Sequence, residues 1–317
     1  MKLLVAGASG FIGRNVVEAA SRAGWNVTGL YWKSKTFAEF AKQTGCQAVR
    51  HNLLKGDGKE WDADVCIYFA GNSDHSMSLR SPLNDLRLNV EALNRFVMGF
   101  HGGVVLLSSA AVYDGNTGLV SPTAKTKPVF PYGISKLTAE EYLRYWAHEG
   151  QIPWSTVLRL YYAYGPYDRE QRLICKLVRA AARQDHSFTV TAPERSLIDP
   201  VYSTDVAAAL LAAASGKAKD STLDLCSGWP LTVRRLLRGV TKWLDASLSL
   251  TVQPRISGWP VRYYSEPDAL RRKLGMKRFV PLREGVRRYA GWIRERAEPT
   301  GTALGDAKTR PSQRRLQ

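Results

Sequence analysis

The sequence predicts an α/β fold, a doubly wound parallel sheet with a smaller C-terminal lobe, and three observations carry that prediction. Apolar runs of strand length alternate with amphipathic stretches of helix length from the first residues to Leu160. The chain opens on a strand–glycine loop–helix–strand unit, Leu3 to Ala6, then Phe11 to about Ala23, then Val27 to Tyr31. Beyond Tyr161 the alternation becomes less regular, as expected of a lobe packed beside a finished sheet.

Each element follows in order. Short strands are expected near Gln47 to Arg50, Val65 to Phe69 and Val104 to Leu107, with a long helix around Leu83 to Phe100 between the last two. A helix starts near Tyr132, and Ser155 to Leu160 supplies a sixth strand. Parallel neighbours need crossover helices, and right-handed crossovers place them on both faces of the sheet. The second part is expected to hold helices over Glu170 to Gln184, Thr204 to Ala214, Val233 to Leu244, Pro267 to Leu274 and Leu282 to about Glu295, with runs Leu223 to Cys226 and Leu248 to Val252. The expected organisation is a dinucleotide-binding core over 1–160, a mixed substrate-binding lobe with returning core elements over 161–297, and a disordered basic tail over 298–317.

The 317 residues are 44% hydrophobic and 23% charged, the values of a globular chain. No apolar run is long enough to span a bilayer, and Met1 leads directly into the glycine loop, so a cytoplasmic protein is expected. Cys46, Cys66, Cys175 and Cys226 are scattered without the spacing of a zinc or redox site, which predicts ordinary buried thiols and no metal. The formal net charge is +17, and from Pro230 onward 20 Lys and Arg stand against 7 Asp and Glu. Clusters such as Arg271-Arg272-Lys273 read as solvated helix faces, so nucleic acid is not the expected partner.

Gly7-Ala8-Ser9-Gly10-Phe11-Ile12-Gly13 lies between the first strand and the first helix. Gly7 permits the tight turn, Gly10 lets backbone approach a diphosphate, and Gly13 lets the helix close on the sheet. The helix start adds free N–H groups and partial positive charge, so the loop is expected to hold a dinucleotide. The end of the second strand reads Tyr31-Trp32-Lys33-Ser34-Lys35, with no acid for a ribose 2′-hydroxyl. NADP(H) is therefore favoured over NAD(H), with Lys33 as the phosphate contact.

Tyr132 and Lys136 are four residues apart at a helix start, on one face. A free tyrosine is a poor base at neutral pH, and a neighbouring ammonium stabilises its phenolate. Ser109 follows the fifth strand at the carboxyl edge, where doubly wound sheets bind ligands.

The spacing GxxGxxG resembles that of the short-chain dehydrogenase/reductase superfamily. Ser108-Ser109-Ala110-Ala111-Val112-Tyr113 with Pro131-Tyr132-Gly133-Ile134-Ser135-Lys136 closely resembles the SSxxVY and PYxxSK pair of the NAD-dependent epimerase/dehydratase family, its extended branch. The resemblance continues through Phe69-Ala70-Gly71, Asn89, Arg159, Tyr164-Gly165-Pro166 and Asp205-Val206-Ala207. It implies a Rossmann sheet, Tyr132 as acid/base, Lys136 as its electrostatic and ribose partner, and Ser109 as the hydroxyl that binds the substrate oxygen. It also implies Phe11 and Ile12 at the pyrophosphate, Asn52 and Leu53 near the adenine, and Ala70 and Gly71 beside the diphosphate-ribose. A homodimer through the helices near 83–100 and 132–148 is usual for such a family.

The family pattern breaks at several places. Ala110 and Ala111 stand where family dehydratases and decarboxylases carry an acid, which leaves proton and hydride shuttling at one carbon. Tyr162 stands where nucleotide-sugar members often have Asn, and Ile198 where they have a diphosphate-binding Arg. Arg195, Arg255 and Arg262 are the candidates to hold a substrate diphosphate in its place. The expected function is a 4-ketoreductase or 4-epimerase acting on a nucleotide-linked sugar. Two alternatives stay open: a ketoreductase for a small non-nucleotide carbonyl compound, and a non-catalytic cofactor- or RNA-binding relative.

Overall fold

A computed structural model describes residues 1–55, 59–192, 196–254 and 260–297. The expected tail over 298–317 lies outside the described residues. Seven parallel strands form one sheet: β1 Lys2–Ala6, β2 Asn26–Tyr31, β3 Gln47–Arg50, β4 Val65–Tyr68, β5 Gly103–Ser109, β6 Ser155–Leu160 and β7 Ser221–Leu225. Their order across the sheet is β7-β6-β5-β4-β1-β2-β3, so the chain reverses direction between β1 and β4. That switch point opens a crevice beyond the carboxyl ends of both strands, where α/β sheets bind ligands.

The strands are fully buried through their centres, as in Val65–Tyr68 and Val104–Leu107, because helices cover both faces. One layer packs helix Phe11–Arg22 and helix Ser203–Ala212 against the sheet through Val16, Val17, Val206 and Leu210. The other packs helices Ala92–Val97 and Pro131–His148 through Leu93, Phe96, Ala139 and Leu143. The expected helix over Leu83 to Phe100 is instead Pro82–Leu86, a widened π-type segment Arg87–Glu91, and Ala92–Val97. Helices Phe37–Thr44 and His75–Arg80 were not foreseen, being too short to show a sustained period.

In the second part, β7 returns to the sheet beside β6. A separate core gathers Tyr164, Ile174, Leu177, Leu236, Val240, Val286 and Tyr289 beneath helices Leu173–Ala182, Val233–Leu244 and Leu282–Ala297. Within the second part Tyr162–Tyr164 runs parallel to Pro200–Tyr202, and Thr117–Leu119 joins the two parts by running parallel to Arg262–Tyr264.

A buried ion pair lies under the carboxyl edge of the sheet. Arg159 Nη2 is 2.7 Å from Glu140 Oε2, with both side chains almost wholly enclosed. Removing one partner of such a pair strands a charge in a low-dielectric interior. Arg159→Met is therefore expected to lower stability by about 3–5 kcal/mol in chemical denaturation. A loss under about 1 kcal/mol would show that the pair does not carry the packing of β6 on the helix.

Candidate active site

Gly7 ends β1 at φ +93°, a left-handed conformation open to glycine, and a Cβ there would lie 2.9 Å from Ala70 N. A Cβ on Gly13 would meet the carbonyls of Gly7 and Ala8 at 2.5 Å. The glycine loop is thus pressed against the end of β4, where Ala70 and Gly71 lie. Gly71 itself (φ +146°) leaves no room for a side chain, with Asn89 Oδ1 at 2.4 Å from its Cβ position. Gly10 caps helix Phe11–Arg22 without a side-chain bond, so the first-turn N–H groups around Phe11, Ile12 and Gly13 are left for an anion. These features fit a dinucleotide diphosphate.

Asn52 shapes the turn Leu53–Lys55 beyond β3, its Oδ1 accepting from Leu54 N at 3.1 Å. Lys33 is exposed after β2 and makes no hydrogen bond or ion pair with any described residue. Its neighbour Trp32 carries the Arg50 guanidinium over its ring at 5.1 Å.

The catalytic candidates meet at the carboxyl end of β5. Ser109 is its last residue and is half-buried, and its Oγ accepts from Ala111 N at 3.1 Å. Pro131 starts helix Pro131–His148, which delivers Tyr132 and Lys136 to the same edge, both nearly buried. Burial raises the Tyr132 phenol above its ordinary value, while a hydrogen bond with Ser109 and the charge of Arg172 pull the other way. Burial lowers Lys136 to about 8, against the opposing fields of Asp85 and Glu140. Lys136 Nζ lies 5.8 Å from the Tyr132 ring centroid. Ser109, Tyr132 and Lys136 therefore share one site, beside the glycine loop.

Tyr162 follows β6, and its ring lies under the Arg172 guanidinium at 4.6 Å. Arg172 also reaches over Phe11 at 5.7 Å and is held by Asp168 at 3.3 Å. Arg262 is exposed on its strand opposite Thr117, with no recorded contact to the catalytic trio. Arg195 and Arg255 lie outside the described residues. Three residues went unnoticed in the sequence. Arg172 acts on Tyr132 from the start of helix Leu173–Ala182, Asp85 binds Ser135 between Tyr132 and Lys136, and the His75 ring lies tilted against Tyr132 with centroids 4.3 Å apart. Loss of water around the ring, together with the charge of Arg172, lowers the His75 imidazole, although the residue as a whole is exposed.

Behind the site, Tyr263 donates to Ala110 O at 2.6 Å and Asp114 Oδ1 at 3.1 Å, tying strand Arg262–Tyr264 to the turn after Ser109. Burial pushes the Asp114 carboxyl up to about 7 despite the Tyr263 bond. Its folded-state value lies above the ordinary carboxylate value, so its contribution to stability is complete in acid and is lost as pH rises through about 7. The melting temperature is expected to fall by a few degrees from about pH 5 to pH 8, and Asp114→Asn to flatten that fall. An identical fall in the variant would contradict the assignment.

The profile of the NAD dependent epimerase/dehydratase family matches residues 3–224. The chain is 26% identical over 209 residues to the uncharacterized UDP-glucose epimerase YtcB of Bacillus subtilis, a match spanning 58% of this chain and 63% of that protein. It is 23% identical over 339 residues to the probable UDP-glucuronate 4-epimerase of Rhizobium meliloti, across 92% of this chain and 96% of that one. The structure of the Thermotoga maritima UDP-glucose 4-epimerase with UDP-glucose superposes at a TM-score of 0.85 with 23% identity, covering 94% of this chain and 100% of that one. MoeE5 in complex with UDP-glucose and NAD superposes at 0.83 with 25% identity and the same coverage.

The expected preference for NADP(H) is corrected by two neighbouring structures, since MoeE5 and the Bacillus cereus UDP-glucuronic acid 4-epimerase are both bound to NAD. The physical reason lies at Lys33: a missing acid removes a bias toward NAD, but an exposed lysine with no bonded neighbour is not a built phosphate clamp. Among the described residues no helix is long and apolar enough to cross a membrane. With its family profile matched from the first strand to the seventh, the chain belongs to the NAD-dependent epimerase/dehydratase family.

Proposed function

We propose that this protein inverts C4 of a UDP-linked hexose or hexuronate with NAD as a retained cofactor. The observation that carries the reading is the meeting of Ser109, Tyr132 and buried Lys136 at the carboxyl edge of the sheet, set against the glycine loop.

Tyr132 takes the proton of the C4 hydroxyl, and Ser109 holds the same oxygen as it becomes a carbonyl. Arg172 supplies positive charge that opposes the cost of a buried phenolate, and Lys136 lies beside the Tyr132 ring. Lys136 also fits the ribose hydroxyls of the cofactor, and Gly7, Gly10, Phe11, Ile12, Gly13, Ala70 and Gly71 its diphosphate. Bound NAD supplies the acceptor and later the donor of a hydride. Once the keto sugar has presented its other face, Tyr132 returns the proton to the same oxygen. Ala110 and Ala111 put no carboxylate directly after Ser109, so no base there drives elimination.

Arg172 is the described cation placed to meet a substrate diphosphate, replacing the arginine whose position Ile198 occupies. Its planar guanidinium is already oriented by Asp168 and the Tyr162 ring, which lowers the entropy lost on binding. A homodimer would cover Leu83, Ile134, Tyr142 and Tyr145, large apolar side chains exposed on Pro82–Leu86 and Pro131–His148.

The purified protein should release NAD on denaturation and interconvert C4-epimeric UDP-sugars without added cofactor, followed by NMR. Tyr132→Phe should lose at least about 100-fold in turnover while keeping its NAD content. Stoichiometric consumption of NADH or NADPH, or near-normal turnover in the variant, would overturn the reading. Arg172→Met should raise KM for UDP-sugar about tenfold or more, as expected for a lost charge-assisted contact. An unchanged KM would place the diphosphate elsewhere.

A further inference from the structure

Asp85 is completely enclosed, although it sits in a helix of five residues whose neighbour Leu83 is among the most exposed apolar side chains. Its Oδ1 accepts from Asn72 Nδ2 at 2.6 Å and Asn89 Nδ2 at 3.0 Å, and its Oδ2 accepts from Ser135 Oγ at 2.6 Å. Accepting at both oxygens is the pattern of an ionised carboxylate. The three donors come from three segments: the loop after β4, the segment Arg87–Glu91, and the catalytic helix.

Ser135 lies between Tyr132 and Lys136, and its Oγ is also 3.0 Å from the Tyr132 carbonyl. Asn89 bonds Ser135 Oγ through Nδ2 at 2.9 Å and accepts from Asn72 N through Oδ1 at 3.0 Å, directly beneath Gly71. One carboxylate therefore links the cofactor loop to the turn that carries both catalytic candidates.

A buried charge costs several kcal/mol to desolvate and persists where something compensates it. Every hydrogen-bond donor to Asp85 is neutral. Glu140, the other carboxylate acting on Lys136, already has Arg159 as its counter-ion. No ion pair joins Lys136 to Asp85 among the described residues, and the carboxylate acts on the buried lysine as a field across the site.

We propose that Asp85 is a positioning residue of the catalytic pair: through Ser135, Asn89 and Asn72 it holds the Tyr132–Lys136 turn against the cofactor loop, and it places its charge where that pair feels it. The proposal rests on reading Tyr132 and Lys136 as the acid/base pair. The groups that face them are known. Asp85 and Glu140 act on Lys136; Ser109, Arg172, Asp85 and Asp114 act on Tyr132; and His75, tilted against Tyr132, feels Arg172, Asp74 and Asp85. Asp85 favours the lysine ammonium and disfavours the phenolate, so removing its charge moves both titrations toward acid.

The test is a pH titration of the full chain carrying 13Cε-lysine, with the Lys136 signal assigned by its loss in Lys136→Arg. Asp85→Asn keeps the size and two of the acceptor bonds and should move the Lys136 midpoint down by at least about one pH unit. Ser135→Ala cuts the tether and leaves the charge, so it should leave that midpoint in place while lowering kcat more than it changes KM. An unmoved midpoint in Asp85→Asn, or an equal shift in Ser135→Ala, would overturn the assignment. These titrations need no substrate, so a failure of the proposed reaction shows in turnover and a failure of this role for Asp85 shows in the Lys136 midpoint.

Discussion

The interaction on which the site depends is the buried bond between Glu140 and Arg159. Glu140 lies one turn beyond Lys136 on the catalytic helix, and it binds both members of a register pair across β5 and β6. Ser108 Oγ donates to it at 2.6 Å, and Arg159 lies opposite Ser108 in the sheet. The helix can therefore take one axial position against the strand ends, the one that brings Tyr132 to Ser109. Arg159 extends the constraint to Tyr113 at 2.5 Å, and Tyr113 passes it to Asp224 on β7, itself the register partner of Arg159. Ser265 closes the chain on Asp224 at 2.8 Å. Three neighbouring strands, the catalytic helix and the lobe are joined by one polar network whose members satisfy one another, and loss of any one leaves buried polar groups unpaired.

The cofactor end is fixed differently, by absence of side chains. Gly7, Gly13 and Gly71 each sit where a single Cβ would collide with backbone or with Asn89. Asn15 then anchors the first helix to the second part of the chain, donating to Pro166 O at 2.9 Å and accepting from Ser203 Oγ at 2.8 Å. A rigid floor with close backbone suits a cofactor retained through a catalytic cycle, because little ordering remains to be done on binding. Neither Lys33 nor Arg262 belongs to this scaffold, which is why charge counted along the chain misled about the cofactor and contributed little to the site.

Much of this was legible in the sequence because it is local. The glycine spacing, the four-residue interval of Tyr132 and Lys136, and the position of Ser109 after an apolar run each describe one strand end or one helix turn. What was missed depends on tertiary placement. The pairing of Tyr162–Tyr164 with Pro200–Tyr202 involves three residues a side and leaves no periodic trace. Arg172 and His75 come from loop-adjacent turns that nothing short-range directs toward Tyr132. Asp85 did leave a signal, since Asp85, Asn89, Leu93 and Phe96 follow helical spacing and all are buried, so an acid stood on an apolar face. The irregular helix over 82–97 hid that face from a simple periodic reading.

The central claim is that one tyrosine-centred site removes and restores hydrogen at a single sugar carbon with a cofactor that stays bound. Turnover of a UDP-hexose deuterated at C4, in the presence of excess unlabelled NAD, tests it most directly. The prediction is a C4 epimer that keeps its deuterium at C4, with no label in the free cofactor pool. Loss of the label to the free pool, or to solvent, would contradict it.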